Sequence, residues 1–136
     1  MLRSVTARDY MATTLVTFKP DMDVLEAVRM LVEYKISGAP VVDDKHQLVG
    51  ILSEKDCLKA VLSATYHDDL CATVGDLMTP SVEAVDADSS IIEIAERFLE
   101  YNRRRYPVLE EGRLIGQISR RDILRAFQKF VNPKTR

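Results

Sequence analysis

Gly50-Ile51-Leu52-Ser53-Glu54-Lys55-Asp56 returns later in the chain as Gly116-Gln117-Ile118-Ser119-Arg120-Arg121-Asp122. Both stretches read glycine, any residue, an aliphatic residue, serine, two polar residues and aspartate. Working outward, the match continues. Gly50 and Gly116, Ser53 and Ser119, and Asp56 and Asp122 are 66 positions apart. Upstream of one deletion in a turn, Met11 and Met78, Asp23 and Ser90, Glu26 and Glu93, and Pro40 and Pro107 are 67 apart. The segment from Met11 to Ala60 therefore recurs from Met78 to Ala126. Such a unit is too long for a solenoid repeat and too short for an ordinary independent domain. Two small units packed face to face about a pseudo-two-fold axis are expected. That pairing makes two related clefts, with the repeated polar residues as candidates to line them.

The surrounding composition is that of a globular protein. The 136 residues are 46% hydrophobic and 29% charged, with net charge −2. The acidic balance argues against a nucleic-acid binder, which carries a basic field. Positive charge is local instead, at Arg103-Arg104-Arg105 and at Arg120, Arg121 and Arg125. No apolar run approaches the ~20 residues of a membrane helix, and the N-terminus has no signal core. A cytoplasmic protein is expected. Cys57 and Cys71 are too few and too poorly spaced for a zinc site or a disulfide framework, and read as reduced structural thiols.

Each repeat reads as strand, helix, strand, turn, strand, helix. In the first, Leu15 to Phe18 is β-prone and closes at Lys19-Pro20. Val24, Ala27, Val28, Leu31 and Val32 keep helical spacing, Asp23 and Glu26 form a capping box, and Gly38 is the expected helix stop. Pro40 to Val42 and Leu48 to Leu52 are strands about the turn Asp43 to His46. The helix starting near Ser53 carries Leu58, Val61 and Leu62. In the second repeat Ser90 and Glu93 form the box, and Ile91, Ile94, Ala95, Phe98 and Leu99 the apolar face. Tyr106 to Leu109 and Leu114 to Ile118 are strands about Glu110-Glu111-Gly112. The helix starting near Ser119 carries Ile123, Leu124 and Phe127. Residues 10–62 and 77–130 are the two repeats. Residues 63–76 connect them, with Tyr66 to Asp69 exposed, and Asn132 to Arg136 are expected to fray.

The repeated Ser-x-x-Asp has two compatible readings. As local structure, it is a capping box at a strand-to-helix junction. As a site, the helix N-terminus offers free N–H groups to phosphate, and the carboxylate accepts hydrogen bonds from the vicinal hydroxyls of a ribose. One hydroxyl serves as a cap without ligand and as a contact with it.

With Met78-Thr79-Pro80 and its weaker copy Met11-Ala12-Thr13, the capped helix, the Pro-Val strand and the Gly-x-x-Ser-x-x-Asp ending, all twice and in register, the chain resembles a tandem pair of cystathionine-β-synthase (CBS) domains. The resemblance runs from about Tyr10 to Ala126. It implies an α/β (α+β type) fold of two pseudo-symmetric repeats, each a small three-stranded sheet with two helices. It also implies adenosine ligands in the clefts, each cleft drawing on both repeats. One site would combine Ser53, Lys55 and Asp56 with Glu83, Arg104, Arg105 and Tyr106. There Asp56 holds ribose, and Arg104 and Arg105 face phosphate, work that suits the guanidinium fork. The other would combine Ser119, Arg121 and Asp122 with Val16, Ile36, Ser37, Gly38 and Ala39. Ser37 and Gly38 stand where the second repeat has Arg104 and Arg105, so the first site ranks ahead. The local alternative for the arginines is a solvated basic turn pairing with Glu110 and Glu111. Ala12 in place of Thr79 removes a hydroxyl from its copy.

No nucleophile–base grouping is supported by spacing. His46 is expected to be exposed in its turn and His67 lies in the connector, so no enzyme is read here. The leading function is a regulatory module that senses AMP, ADP or ATP, with S-adenosylmethionine or NAD as further possible ligands and no obligatory cofactor or metal. Its output would pass to an effector protein in trans or to a second copy, since CBS pairs commonly form disc-shaped dimers. The helix faces at Val24 to Val32 and Ile91 to Leu99 would serve a homodimer if the monomer leaves them open. A ligand-free dimerisation scaffold is the alternative. A nucleic-acid or anion binder using Arg103 to Arg105 is the third.

Overall fold

In the computed structural model, residues 1–67, 72–80 and 82–131 are described. In chain order the elements are a 3-10 turn (Leu2–Ser4), α1 (Ala7–Tyr10), α2 (Val24–Tyr34), β1 (Gly38–Val42), β2 (Leu48–Ser53), α3 (Glu54–His67), α4 (Val74–Leu77), β3 (Val85–Asp86), α5 (Ile91–Tyr101), β4 (Arg105–Glu110), β5 (Arg113–Ser119) and α6 (Arg120–Val131). They form two compact units that cut across the sequence repeat. Met1–Leu15 joins Glu83–Arg136 in one, and Val16–Val82 is the other. The opening segment of each repeat thus packs in the unit that holds the other repeat's strands.

In the unit Val16–Val82, β1 and β2 pair antiparallel, with Gly38 opposite Ser53. The expected strand Leu15 to Phe18 is reduced to one parallel bridge, Phe18 to Val41. Phe18 N–H donates to Pro40 O and Val42 N–H to Phe18 O, at 3.0 and 2.9 Å. Lys19-Pro20 ends the pairing there, because proline has no N–H to extend it. Phe18, Val24, Ala27, Leu31, Ala39, Val41, Leu52, Cys57 and Val74 make the core.

In the other unit β3, β4 and β5 form a three-stranded sheet, β3–β4 parallel and β4–β5 antiparallel. The core there is Ala7, Val85, Ala87, Ile91, Ile94, Phe98, Tyr106, Val108, Ile118 and Ala126. The register shift between Val108 and Leu109 repeats the one between Val41 and Val42. The two-residue turn Glu111-Gly112 has φ of 53° and 81°, the left-handed pair that matches strand twist in a tight hairpin.

The helix ends correct two expectations. Gly38 does not stop α2; it is the first residue of β1. The left-handed stop is Lys35 (φ 54°, ψ 46°), with Ile36 N–H returning to Leu31 O at 3.1 Å. A Schellman-type end is satisfied by backbone bonds and a hydrophobic residue just beyond it, and lysine here takes glycine's place. Asn102 does the same for α5 (φ 50°, ψ 44°). At the helix starts, only half of each expected box forms among the described residues. Asp23 accepts from Leu25 N–H at 2.8 Å and Ser90 from Ile92 N–H at 3.1 Å, without a reciprocal bond from Glu26 or Glu93.

The expected connector contains ordered structure. α3 continues to His67, and Val74–Leu77 forms α4 behind a full capping box of Thr73 and Asp76. Tyr66 is exposed on α3. Asp68 to Cys71 and Asn132 to Arg136 lie outside the described residues. His46, expected in solvent, is half-buried at a left-handed position (φ 64°).

Candidate functional site

Ser53 ends β2 and Asp56 sits in the first turn of α3. Asp56 Oδ2 accepts from the Ser53 N–H and from its hydroxyl, both at 3.0 Å, and the Asp56 N–H returns to Ser53 Oγ at 3.2 Å. At the end of β5, Asp122 Oδ2 does the same with Ser119, at 2.8 and 3.0 Å, and the Asp122 N–H returns at 3.2 Å. Both copies are reciprocal capping boxes, so the structural reading of the motif holds. Each box occupies only one carboxylate oxygen. Asp56 is only 7% exposed, but its Oδ1 has no hydrogen bond among the described residues and is not wholly buried, since no fully buried side-chain oxygen there lacks a partner. Asp122 Oδ1 faces Arg125 at 3.4 Å. An ionised carboxylate has about four acceptor sites, which leaves room for hydroxyl donors after the cap is made.

The local fold presents these turns identically. A short segment lies beside each return strand. Ile51 and Thr79 exchange backbone bonds at 2.9 and 2.8 Å, as do Gln117 and Ala12. The residue facing the serine across the hairpin is Gly38 in one unit and Arg105 in the other. In the unit Met1–Leu15 with Glu83–Arg136, a pocket of about 290 Å³ opens there, lined by Ala12, Arg105, Gln117, Ser119 and Asp122. Gln117 was not singled out from the sequence, and Ala12 was noted only for the hydroxyl it lacks. Strand alternation could have found Gln117, because residues two apart share a face and Ser119 is two positions on.

The remaining expected site residues fall as follows. Lys55 is exposed on the first turn of α3. Arg104 is exposed, and its carbonyl accepts from Arg120 N–H at 3.4 Å. Arg121 is exposed. Glu83 is exposed and pairs with Arg103 at 3.4 Å and Arg97 at 4.0 Å. The arginine turn therefore pairs with Glu83; Glu110 pairs with Arg8 instead. Tyr106 is inside the core. Its hydroxyl donates to Arg97 O at 3.2 Å, its ring packs 4.8 Å from Phe98, and Arg97 lies over its face. Burial pushes its phenol up from the ordinary value. Val16 and Ile36 are half-buried against the other core. Ser37 is exposed, its carbonyl accepting from Glu54 N–H at 2.9 Å, and Ala39 is buried. Within its own unit Arg105 lines the pocket with Ser119 and Asp122; the resemblance groups it with Asp56.

Two capped Ser-Asp turns on matched hairpins define a duplicated module. The model of the CBS domain family matches residues 7–63 and 74–129, and the chain belongs to that family as a tandem pair. It is 33% identical over 120 residues to Hypoxic response protein 1 of Mycobacterium tuberculosis, covering 88% of this chain and 83% of that one. Among solved structures, CBSX2 of Arabidopsis thaliana in complex with AMP superposes with a TM-score of 0.80 at 36% identity, covering 93% of this chain and 98% of that one. A CBS domain pair in complex with 5′-methylthioadenosine and S-adenosyl-L-methionine, protein MJ0100, superposes with a TM-score of 0.70 at 25% identity, with 93% and 98% covered. The chain spans only part of other curated relatives: 56% of the chloroplastic CBSX2 protein, and 21% of an inosine-5′-monophosphate dehydrogenase of Methanocaldococcus jannaschii. Among the described residues no helix is long and apolar enough to cross a membrane.

Proposed function

We propose that this chain is a regulatory module, without catalytic activity of its own, that binds an adenosyl nucleotide and passes its occupancy to a second copy or to a partner protein in the cytoplasm. The supporting observation is the repeated Ser-Asp box whose second carboxylate oxygen keeps acceptor capacity at a helix N-terminus. The complexes of similar CBS pairs with AMP and with S-adenosyl-L-methionine support the ligand class. Asp56 and Asp122 accept ribose hydroxyls, Ser53 and Ser119 assist, and the first N–H groups of α3 and α6 face phosphate. Among AMP, ADP, ATP, S-adenosylmethionine and NAD, those whose adenosine reaches these turns bind.

The test is thermal unfolding with each compound at millimolar concentration. A ligand at about 100 times its dissociation constant stabilises by about 2.7 kcal/mol, several degrees for a domain of this size. The shift is expected to shrink in Asp56→Ala and Asp122→Ala. No shift with any adenosyl compound would leave the dimerisation scaffold as the better account.

Transmission needs an outer surface. The apolar stripes of α2 and α5 are used within the cores, through Val24, Ala27 and Leu31 and through Ile91, Ile94 and Phe98. Each of these helices still exposes apolar residues at the edge of its stripe, Leu25 and Val32 on α2 and Leu99 on α5. Further exposed apolar residues lie at Leu58, Val61 and Leu62 on α3 and Leu124 and Phe127 on α6. An apolar groove of about 450 Å³ runs between α5 and α6, lined in part by Ala95, Phe98, Leu99, Ile123 and Leu124. A second copy is the occupant that fits. A two-fold turn sets the acidic face of α5 (Glu93, Glu96, Glu100) against the basic face of α6 (Arg120, Arg121, Arg125, Lys129). Sedimentation should show a dimer that Leu124→Glu converts to monomer; a monomer in the unsubstituted protein overturns this surface.

A further inference from the structure

The two repeated carboxylates differ in what their second oxygen meets. Asp56 Oδ1 has no hydrogen bond or ion pair among the described residues. Asp122 Oδ1 lies 3.4 Å from Arg125 Nη2, a residue one turn further along α6. Lys59 stands at the matching place on α3, 66 positions earlier, and is exposed without an ion pair among the described residues.

Arg125 is held in place from its far side. The same Nη2 donates to Tyr10 O at 3.3 Å, and the guanidinium lies over the Tyr10 ring, 5.6 Å from its centroid. A cation at that distance is attracted to the ring face. Tyr10 is itself fixed: it closes α1 and packs against the core of its unit, and Arg8 pins α1 to Asp88 and Glu110. In the other unit Leu77 takes the place of Tyr10, 67 positions on, and offers no such face. A planar fork can span a carboxylate, a carbonyl and a ring together, which an ammonium on a flexible stem cannot. The Arg125–Asp122 pair is therefore anchored, and nothing equivalent is built around Asp56.

We propose that Arg125 is a positioning residue that competes with ribose for Asp122 Oδ1 and so lowers the affinity of the Ser119–Asp122 corner for a nucleoside. A hydroxyl donating to that oxygen must displace the guanidinium or share its lone pairs. Asp56 Oδ1 carries no such competitor among the described residues, so filling is biased toward the Ser53–Asp56 corner. The Arg125 side chain is 51% exposed, which limits the bias to a few-fold. The inference rests on the adenosyl reading above and deepens it, by assigning a residue to the order in which two similar corners fill.

Isothermal titration of the whole chain with adenosine tests it. Adenosine is uncharged, so added salt acts on the ion pair and not on ligand charge. Asp56→Asn silences the other corner. In that background Arg125→Ala should bind adenosine about two- to fivefold tighter, the range for releasing an exposed ion pair. Raising NaCl from about 0.05 to 0.5 M should tighten binding in Asp56→Asn, because salt screens the pair, and should leave the protein that also carries Arg125→Ala unchanged. An arginine that only supported the fold would weaken binding on removal and confer no such salt response. Equal or weaker binding after Arg125→Ala overturns the inference, as does a salt response that survives the substitution. Circular dichroism checks the fold of each variant. In Asp122→Asn, Arg125→Ala should leave adenosine affinity unchanged; an equal gain there would place the effect away from Asp122 and also overturn it. If the unsubstituted protein binds neither adenosine nor AMP, the adenosyl reading falls and the inference with it. If the unsubstituted protein binds and Arg125→Ala brings no gain in Asp56→Asn, this inference alone is removed.

Discussion

Met78 Sδ stands 2.6 Å from the point that a Cβ on Gly50 would occupy, and Thr79 O stands 2.9 Å from it. The other unit repeats the relationship between Met11 and Gly116, with Ala12 O also at 2.9 Å. The glycine that opens each signature motif is therefore required by close approach of a neighbouring segment. That segment carries the bridge which brings Thr79 or Ala12 to the corner. Gly50→Ala should destabilise by about 1–3 kcal/mol, the range for overpacking a closed site. The methionine can swing aside but the carbonyl cannot, so adding Met78→Ala should recover only part of the loss. Urea unfolding of the single and double variants measures both, and full recovery would show that the side chain alone sets the requirement.

Tyr106 is buried in the core. Tyr106→Phe should cost about 1 kcal/mol by removing the hydroxyl bond to Arg97 O, with AMP affinity unchanged. Tyr106→Ala should cost about 3–5 kcal/mol through the cavity it leaves. A Tyr106→Phe protein of near-normal stability that has lost AMP binding would place the hydroxyl at the ligand.

Asp76 carries an acid-sensitive bond. The Thr73 N–H, and secondarily its hydroxyl, hold the Asp76 carboxyl below its ordinary value. A carboxyl lowered in the folded state stabilises above its unfolded value, near pH 4, and loses that contribution as pH falls through the folded value. Asp76→Asn should therefore lower stability at pH 7 and flatten its decline below about pH 4. Equal pH slopes for both proteins would assign the decline to other carboxylates.

Cys57 is 7% exposed. Burial pushes its thiol up, and Asp56 and Glu54 add to the shift. Since the thiolate is the reactive form, a Cys71→Ser protein should react with a thiol reagent at pH 8 at least about tenfold more slowly folded than in urea. A raised folded value contributes stability below the unfolded pKa, near 8.5, and this is lost as pH rises through the folded value. Labelling at the unfolded rate would show the position to be open.

Much of the site was legible because it is local. A serine and an aspartate three residues apart at a strand-to-helix junction make a box whatever surrounds them, and both copies do. The hairpins at Pro40 to Leu52 and Tyr106 to Ile118 followed from β-prone runs about polar turns. Other local signals misled. Gly38 looked like a helix stop, yet Lys35 and Asn102 take the left-handed positions, because backbone bonds and a following residue can stabilise that end without glycine. Leu15 to Phe18 looked like a strand, yet only Phe18 pairs. The resemblance, not a local signal, grouped Arg105 with Asp56; within its own unit β4 sets it opposite Ser119.

The amino-acid order was enough to establish a duplicated CBS unit, its helix starts and its paired Ser-Asp turns, because each depends on spacings of a few residues within one turn of chain. The packing of Met11 on Gly116 and of Met78 on Gly50, the burial of Tyr106, the outward faces of α3 and α6, and the place of Arg105 came only with the folded structure. An apolar stripe accepts any partner of suitable shape, and spacing along the chain does not say which distant segment will reach it.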